Sequence, residues 1–248
     1  MRIDTPSDIE QKLYEGNLDL ADTDGQRGAQ DDTLPKANEI LQGGSPHVTI
    51  GEPQVWNIAQ VYRAEGKEFP AHTEVQFQDS DFFLVRLACS FRDGKNVRID
   101  WARFSIKLKS QAEAAPYPIA FALHPLELYE HDLRNVHLGI TPSMNFKEID
   151  EVEESLGDYV ITLYYPQLLP IVTAAGVQES EFSWDIRETK SHPLRGPRLF
   201  HAIIKRPRTS QGVVIDFNVV VDVLTPIKVF RFKLNKAERT QMSRLICT

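Results

Sequence analysis

The chain has 248 residues, 42% of them hydrophobic, and a formal charge of −7 at pH 7. This length and composition can supply a substantial core, and they exclude a disordered chain and a strongly basic nucleic-acid binder. No apolar run reaches the roughly 18 residues of a membrane-spanning helix. The N-terminal sequence also lacks the apolar core of a signal peptide. We therefore expect a cytoplasmic protein with no membrane span.

The chain contains only two cysteines, Cys89 and Cys247. They cannot form the dense disulfide framework of a small secreted domain, and neither belongs to a pair with metal-binding spacing. Their number and spacing favour a reducing compartment.

Residues 1–45 differ in composition from the rest of the chain. They contain ten acidic and four basic residues, a net charge of −6, whereas the other 203 residues sum to −1. Ser7 and Glu10 match a capping box, which predicts a short helix over 8–15. Pro35 predicts a second helix, over 35–41. The polar, glycine-bearing stretch between them is typical of flexible chain, so the sequence predicts an acidic, flexible arm with short helices.

The body of the chain alternates apolar and polar residues with the period of a β-strand. Odd positions from Phe83 to Phe91 are apolar, which predicts a half-buried strand. The turn-like sequence RDGKN follows it. In the next strand, the inward positions are odd as far as Trp101 and even from Phe104 onward. That change of face near Ala102 predicts a β-bulge.

The C-terminal half shows the same pattern. Every odd position of 213–224 is apolar, and 199–205 is its expected partner, joined to it through the sequence KRPRTSQG. About ten strands, with no long helical crossovers between them, predict an all-β, antiparallel β-sandwich. Two sandwich-like halves are expected, with one large sandwich as the alternative. The predicted ranges are the arm 1–45, the first half 46–140, a connection 141–157, the second half 158–235 and a tail 236–248.

The sequence lacks the common nucleotide-binding, nucleophile and zinc-protease motifs. His124, His131 and His137 lie in one stretch among carboxylates, and these are ligand types for zinc or iron. They form a weak metal-site candidate for a metal-assisted hydrolase. Seven residues between His124 and His131 would separate them by roughly 10 Å on a helix, which favours surface histidines instead. No cofactor is expected.

The strongest charge feature of the body is residues 187–208, with seven basic residues and one acidic residue. Arginine binds carboxylates and phosphates well. The competing interpretation is that these charges are solvated strand ends and faces. The arm carries −6 against +6 here, so we also hypothesise that it masks this surface. The candidate binding residues are Lys190, Arg195, Arg198, Lys205, Arg206 and Arg208.

These observations favour a non-catalytic protein-binding or adaptor protein that uses the loops and edges of a sandwich. The expected partner is a protein, and an acidic protein would suit the basic residues. Nucleic acid is a poor candidate partner because no aromatic residues are interleaved with the basic tip. The alternatives are the metal-assisted hydrolase and a sensor of a small ligand or nucleotide.

Overall fold

The computed structural model describes residues 8–21, 44–64, 66, 71–94, 97–112, 116–128, 136–140, 146–149, 159–163, 172–189, 194–224 and 229–247. The strands are β1 (Lys12–Asn17), β2 (Asp19–Leu20), β3 (His47–Gly51), β4 (Gln54–Asn57), β5 (Ser80–Arg92), β6 (Arg98–Ser110), β7 (Ile119–His124), β8 (Glu127–Leu128), β9 (Val136–Ile140), β10 (Phe146–Ile149), β11 (Tyr159–Leu163), β12 (Val172–Ala175), β13 (Glu181–Arg187), β14 (Gly196–Pro207), β15 (Val213–Leu224), β16 (Val229–Lys233) and β17 (Arg244–Cys247). The helices are α1 (Ile58–Ala64), α2 (Ala71–Asp79) and α3 (Lys236–Gln241).

Two large antiparallel sheets pack face to face. Sheet 1 has the order β1-β3-β5-β14-β7, with β4 also paired to β5. Sheet 2 has the order β2-β16-β15-β6-β13-β12-β8, with β17 paired to β15. A third, small sheet has the order β10-β9-β11. This architecture confirms the predicted all-β, antiparallel sandwich.

The core between the large sheets is built from the alternating apolar positions of their long strands. At its centre the ring centroids of Trp184 and Phe200 are 4.6 Å apart, and those of Phe104 and Phe217 are 6.1 Å apart. Such stacked pairs contribute about 0.5–1.5 kcal/mol each beyond the area they bury.

The long strands pair differently from the sequence-based expectation. The sequence RDGKN joins β5 to β6, and residues 208–212 join β14 to β15, but both connections cross from sheet 1 to sheet 2. Instead β5 pairs with β14 and β6 pairs with β15. The predicted hairpin of 199–205 with 213–224 is therefore wrong. The alternating pattern requires only that each strand buries one face. A strand meets this requirement whether the next strand along the chain pairs with it or lies in the opposite sheet.

Both predicted halves supply strands to both large sheets, and a single core cluster joins those strands. The division of the chain at 46–140 and 158–235 stays a prediction.

The predicted bulge in the second long strand is confirmed. Asp222 pairs with Trp101 and Val223 with Ile99, so Asp100 is the extra residue in β6. The bulge turns Trp101 to the outer face of sheet 2, where the Arg103 guanidinium lies 5.3 Å from its ring centroid. The inward position expected for Trp101 is wrong because the face changes before Trp101 rather than after it.

The described part of the acidic arm is β structure. β1 pairs with β3 in sheet 1, and β2 pairs with β16 in sheet 2, so the predicted helix over 8–15 is wrong. Leu18 is fully buried, and Tyr14 Oη donates to Glu238 Oε1 over 2.6 Å. Backbone pairing at the two sheet edges and burial of Leu18 outweigh a weak local helix preference. The predicted helix over 35–41 lies outside the described residues.

Candidate functional site

The predicted basic residues are spread along the whole sandwich. β14 carries three of the six, and a 12-residue strand extends about 40 Å. Arg195 immediately precedes this strand and Arg198 lies near its beginning, whereas Lys205 and Arg206 lie at its end and Arg208 immediately follows it. Lys190 is outside the described residues. The structure therefore does not bring these candidates together.

At the beginning of β14, one candidate is exposed and the other is buried. Arg195 Nε donates to Asp93 Oδ2 over 2.8 Å. Arg198 is only 4% exposed and pairs across the ladder with Cys89, whose side chain is in the core. Burial lowers the pKa of the Arg198 guanidinium and raises that of the Cys89 thiol. Arg198 is therefore not available to a partner at the surface.

At the end of β14, the candidates have partners within the sandwich. Arg206 Nη2 donates to Asp81 Oδ2 over 2.8 Å, and Arg208 Nε lies 3.4 Å from Asp81 Oδ1. The Lys205 ammonium lies 5.9 Å from the ring centroid of Phe121. Two of the arginines proposed to bind a partner, Arg206 and Arg208, are therefore paired with a carboxylate of this chain.

The predicted metal candidates lie in different places. His124 ends β7 and is 4% exposed, and burial lowers its pKa to about 3. His137 is in β9 of the small sheet, and His131 is outside the described residues. Among the residues that the structure describes, no group of three or more His, Cys, Asp or Glu side chains could hold a metal ion.

The feature that sequence reasoning missed lies in residues 129–171, here called the insertion segment, between β8 and β12. Its two ends leave neighbouring strands, because Leu128 pairs with Val172. Within it, Val136 pairs with Leu163. From the β8–β12 ladder to the β9–β11 ladder, the residue on the first arm of the segment moves forward by eight positions, from 128 to 136. Its partner on the second arm moves back by nine positions, from 172 to 163. The two antiparallel ladders are therefore in phase to within a single residue.

The two faces of the β9–β11 ladder differ in polarity: one is apolar throughout, and the other mixes polar and apolar residues. Residues directly opposite each other in an antiparallel pair lie on the same face. One face carries the pairs Val136/Leu163, Leu138/Ile161 and Ile140/Tyr159, and the other carries His137/Thr162 and Gly139/Val160. The alternation was readable in β11, a strand candidate in the sequence, whereas histidine and glycine obscured it in β9.

The third strand of the small sheet folds back onto the other edge of β9. There Phe146 pairs with Ile140 and Glu148 pairs with Leu138. The chain after β9 therefore turns back as β10 and does not continue alongside β11. While β10 stays on β9, the β9–β11 ladder cannot extend toward residues 149 and 150.

The chain just before the insertion segment is fixed to the core. Trp184 is fully buried, and its Nε1–H donates to the carbonyl oxygen of Pro125 over 3.0 Å. This bond ties the connection between β7 and β8 to the aromatic centre of the sandwich.

Comparison with known proteins finds no matching protein family and no matching curated protein. The solved structures that are similar over most of this chain include the following three. A "pore forming protein" is 12% identical with a TM-score of 0.38, over 82% of this chain and 81% of that one. The delta-toxin of Clostridium perfringens is 7% identical with a TM-score of 0.35, over 77% and 81%. The NetB toxin of Clostridium perfringens in its membrane-inserted form is 11% identical with a TM-score of 0.33, over 95% and 92%.

These structures contradict the functional expectations drawn from the sequence. They are a pore-forming protein and two toxins, one of them inserted in a membrane. The adaptor function with a masking arm, the protein partner, the lack of a membrane span and the cytoplasmic location are therefore corrected, and the hydrolase and sensor alternatives are set aside with them. None of the described helices has the length and apolar character needed to cross a bilayer.

Proposed function

We propose that this chain is a pore-forming protein whose insertion segment refolds into a β-hairpin that crosses a lipid bilayer beside hairpins from other copies. The observation that carries the proposal is that the β8–β12 and β9–β11 ladders differ in register by only one residue, an offset that a single β-bulge accommodates. A segment that leaves and re-enters a sheet at neighbouring strands, with an offset of one residue, can extend as a single hairpin that contains one bulge.

The existing register defines the extended hairpin. Ile140 pairs with Tyr159, so the same ladder continued toward the tip places Ile149 opposite Asp150. Residues 129–149 and 150–171 would then be its two arms. A strand needs only about 9–11 residues to cross the hydrocarbon layer at its usual tilt, so each arm is long enough.

Only one described pairing must break for this extension. β10 occupies the outer edge of β9, and it must leave before its residues can join the arm that begins with β9. The β9–β11 ladder can remain intact. Conversion of the compact form into the extended hairpin therefore moves the tip away from β9. It breaks few backbone hydrogen bonds, namely those between β9 and β10.

The two faces of the ladder suit a boundary between lipid and water. The face with Val136, Leu138 and Ile140 and their partners is apolar, whereas the other face carries the polar pair His137/Thr162 beside Gly139/Val160. Membrane-crossing strands alternate in this way. Their outer edges cannot stay unpaired in lipid, because each unsatisfied backbone group there costs several kcal/mol. Several copies are therefore needed to complete the pore.

A pair of engineered disulfides tests the proposal, because Leu138 has a partner on each side. The variant Leu138→Cys/Glu148→Cys joins β9 to β10 by a disulfide and keeps β10 folded back on β9. The matched control, Leu138→Cys/Ile161→Cys, joins two strands that stay paired. Both carry Cys247→Ser, and Cys89 remains because it is buried.

Release of an entrapped dye from vesicles of phosphatidylcholine and phosphatidylserine is the measurement. We expect the oxidised β9–β10 variant to be inactive and to regain activity with a reductant. The oxidised β9–β11 variant should be active throughout. Equal release by both oxidised variants, or none by the unmodified chain, would contradict the proposal.

A further inference from the structure

Three ionisable residues form a row across sheet 1. His201 of β14 pairs with Arg86 of β5 on one side and with His124 of β7 on the other. Their exposed fractions are 0%, 2% and 4%. Their neighbours in sequence along β5 and β14 belong to the core between the sheets, so the row lies on the opposite face of sheet 1.

His201 has no hydrogen-bond partner among the described residues for either ring nitrogen. A buried polar group without a partner costs free energy, and a buried charge costs more. Burial, His124 and Arg86 together hold the pKa of His201 well below its ordinary value. The imidazole is therefore neutral near pH 7, and adding a proton would place a charge at a fully buried site beside the Arg86 guanidinium.

The charged surroundings of the row come from several elements. Asp8 and Glu10 of the N-terminal segment act on Arg86, and Arg86 Nη2 donates to the Asp8 carbonyl over 2.6 Å. Helices α1 and α2 pack against β5, the strand of Arg86; α1 carries Arg63, and α2 carries His72, Glu74 and Asp79. Strand β10, which lies beside β7, carries Lys147 and Glu148. Among these groups, those that act electrostatically on His201 itself are the cationic Arg86 and the titratable His124.

The row is close to the start of the insertion segment. His124 ends β7 and precedes Leu128, the partner of Val172, by four residues. The small sheet reaches sheet 1 at the same strand, because β10 lies beside β7. A change in packing at this end of sheet 1 therefore acts on the strand that supports β10.

We propose that the row of Arg86, His201 and His124 is an acid-sensitive latch, in which protonation of the two histidines releases the small sheet from sheet 1. This inference rests on the proposed function, since it concerns how the insertion segment is freed. Buried histidines that acquire charge near pH 5–6 are an established physical means of opening packed interfaces.

The sign follows from proton linkage. The histidines are held neutral in the closed form and regain an ordinary pKa of about 6.5 once hydrated, so the open form binds protons more tightly. The closed form keeps its full stability above about pH 6.5 and loses it as the pH falls. Each histidine shifts the opening equilibrium about tenfold per pH unit in that window, and the two together about a hundredfold.

Hydrogen exchange of the full chain in solution, without lipid, tests the latch. We expect opening of residues 136–163, corrected for intrinsic exchange rates, to rise steeply between about pH 6.5 and pH 5, the window of histidine protonation. The core strands β6 and β15 should stay protected. His201→Phe should remove about one decade per pH unit, and His201→Phe/His124→Phe should remove the dependence. His201→Gln serves if the phenylalanine variants do not fold.

The matched control is His47→Phe, because His47 lies at a partly exposed site beside Glu15 and Asn17 and should leave the pH dependence unchanged. A flat profile in the unmodified chain, an unchanged slope in the row variants, or exchange of β6 and β15 in step with 136–163 would overturn the latch.

Dye release from the same vesicles separates the two proposals. Release that is equal at both ends of this pH range, with a flat exchange profile, supports pore formation and overturns the latch. Acid-dependent exchange of 136–163 with no release at any pH supports the latch and overturns pore formation.

Discussion

Trp184 donates its indole N–H to the carbonyl oxygen of Pro125 over 3.0 Å, at the connection that leads to the insertion segment. The bond joins the fully buried aromatic centre of the sandwich to the chain between β7 and β8. The core thus holds one end of the proposed hairpin in place while its tip rearranges.

Replacing this indole should destabilise the sandwich in two steps. Trp184→Phe keeps an aromatic ring but leaves the Pro125 carbonyl without its donor, at a cost of about 1–2 kcal/mol in the free energy of unfolding. Trp184→Ala also leaves a cavity and should cost about 3–5 kcal/mol. Urea denaturation measures both. Trp101→Phe, on the outer face of sheet 2, is the control and should cost less than about 1 kcal/mol. Similar values for Trp101→Phe and Trp184→Phe would contradict this role of the bond.

Removing the carboxylate of Asp81 should leave Arg206 without its ion pair. The Arg206 side chain is only 12% exposed. Asp81→Ala should therefore lower the free energy of unfolding by about 1.5–3 kcal/mol, as for a lost hydrogen bond to a charged group. In a double-mutant cycle, Arg206→Met should recover part of this loss. Arg208→Ala, at a side chain 52% exposed, should cost no more than about 0.5 kcal/mol. Additive effects of Asp81→Ala and Arg206→Met would show that the pair is not coupled.

The N-terminal residues should contribute to stability as part of the sandwich. Leu18 is fully buried, so Leu18→Ala should cost about 2–4 kcal/mol in the free energy of unfolding. Lys12→Ala, in the neighbouring strand at an exposed side chain, is the control and should change it by less than about 0.5 kcal/mol. A free acidic tail would give no effect for either substitution.

Charge on the two faces of the β9–β11 ladder should affect membrane activity unequally. Ile161 lies on the apolar face and Thr162 on the other. An arginine facing lipid costs about 2–4 kcal/mol at the bilayer midplane, so Ile161→Arg should reduce dye release at least about tenfold, whereas Thr162→Arg should retain it. Circular dichroism checks that both variants fold. Retained release by Ile161→Arg, or equal losses in both variants, would exclude the proposed orientation.

Local sequence predicted the strands that alternate over many residues. β5, β6 and β15 were readable because each buries one face along its length, and the bulge in β6 was readable because the buried parity changes within one strand. The arm was misread because a capping-box match at Ser7 and Glu10 describes only a local preference. Pairing of β1 with β3 and burial of Leu18 involve residues that are distant in sequence.

The candidate site was less accessible to sequence reasoning. Arg198 and Arg206 were counted as surface charge, yet the first faces the core and the second is paired with Asp81. His201 was part of an apolar-looking strand and carried no signal of its own. Its importance comes from its neighbours Arg86 and His124, which lie 115 and 77 residues away along the chain.

The sequence by itself determined that this protein is all-β, where its long strands run and which of their faces are apolar, since these properties depend on a two-residue period. Only the tertiary structure decided that consecutive long strands enter opposite sheets, that cationic and titratable side chains meet in sheet 1, and that the ladders on both sides of residues 129–135 differ in register by only one residue. Alternation fixes one face of each strand but not its neighbour, so these relationships depend on which edges and faces meet when the two sheets pack.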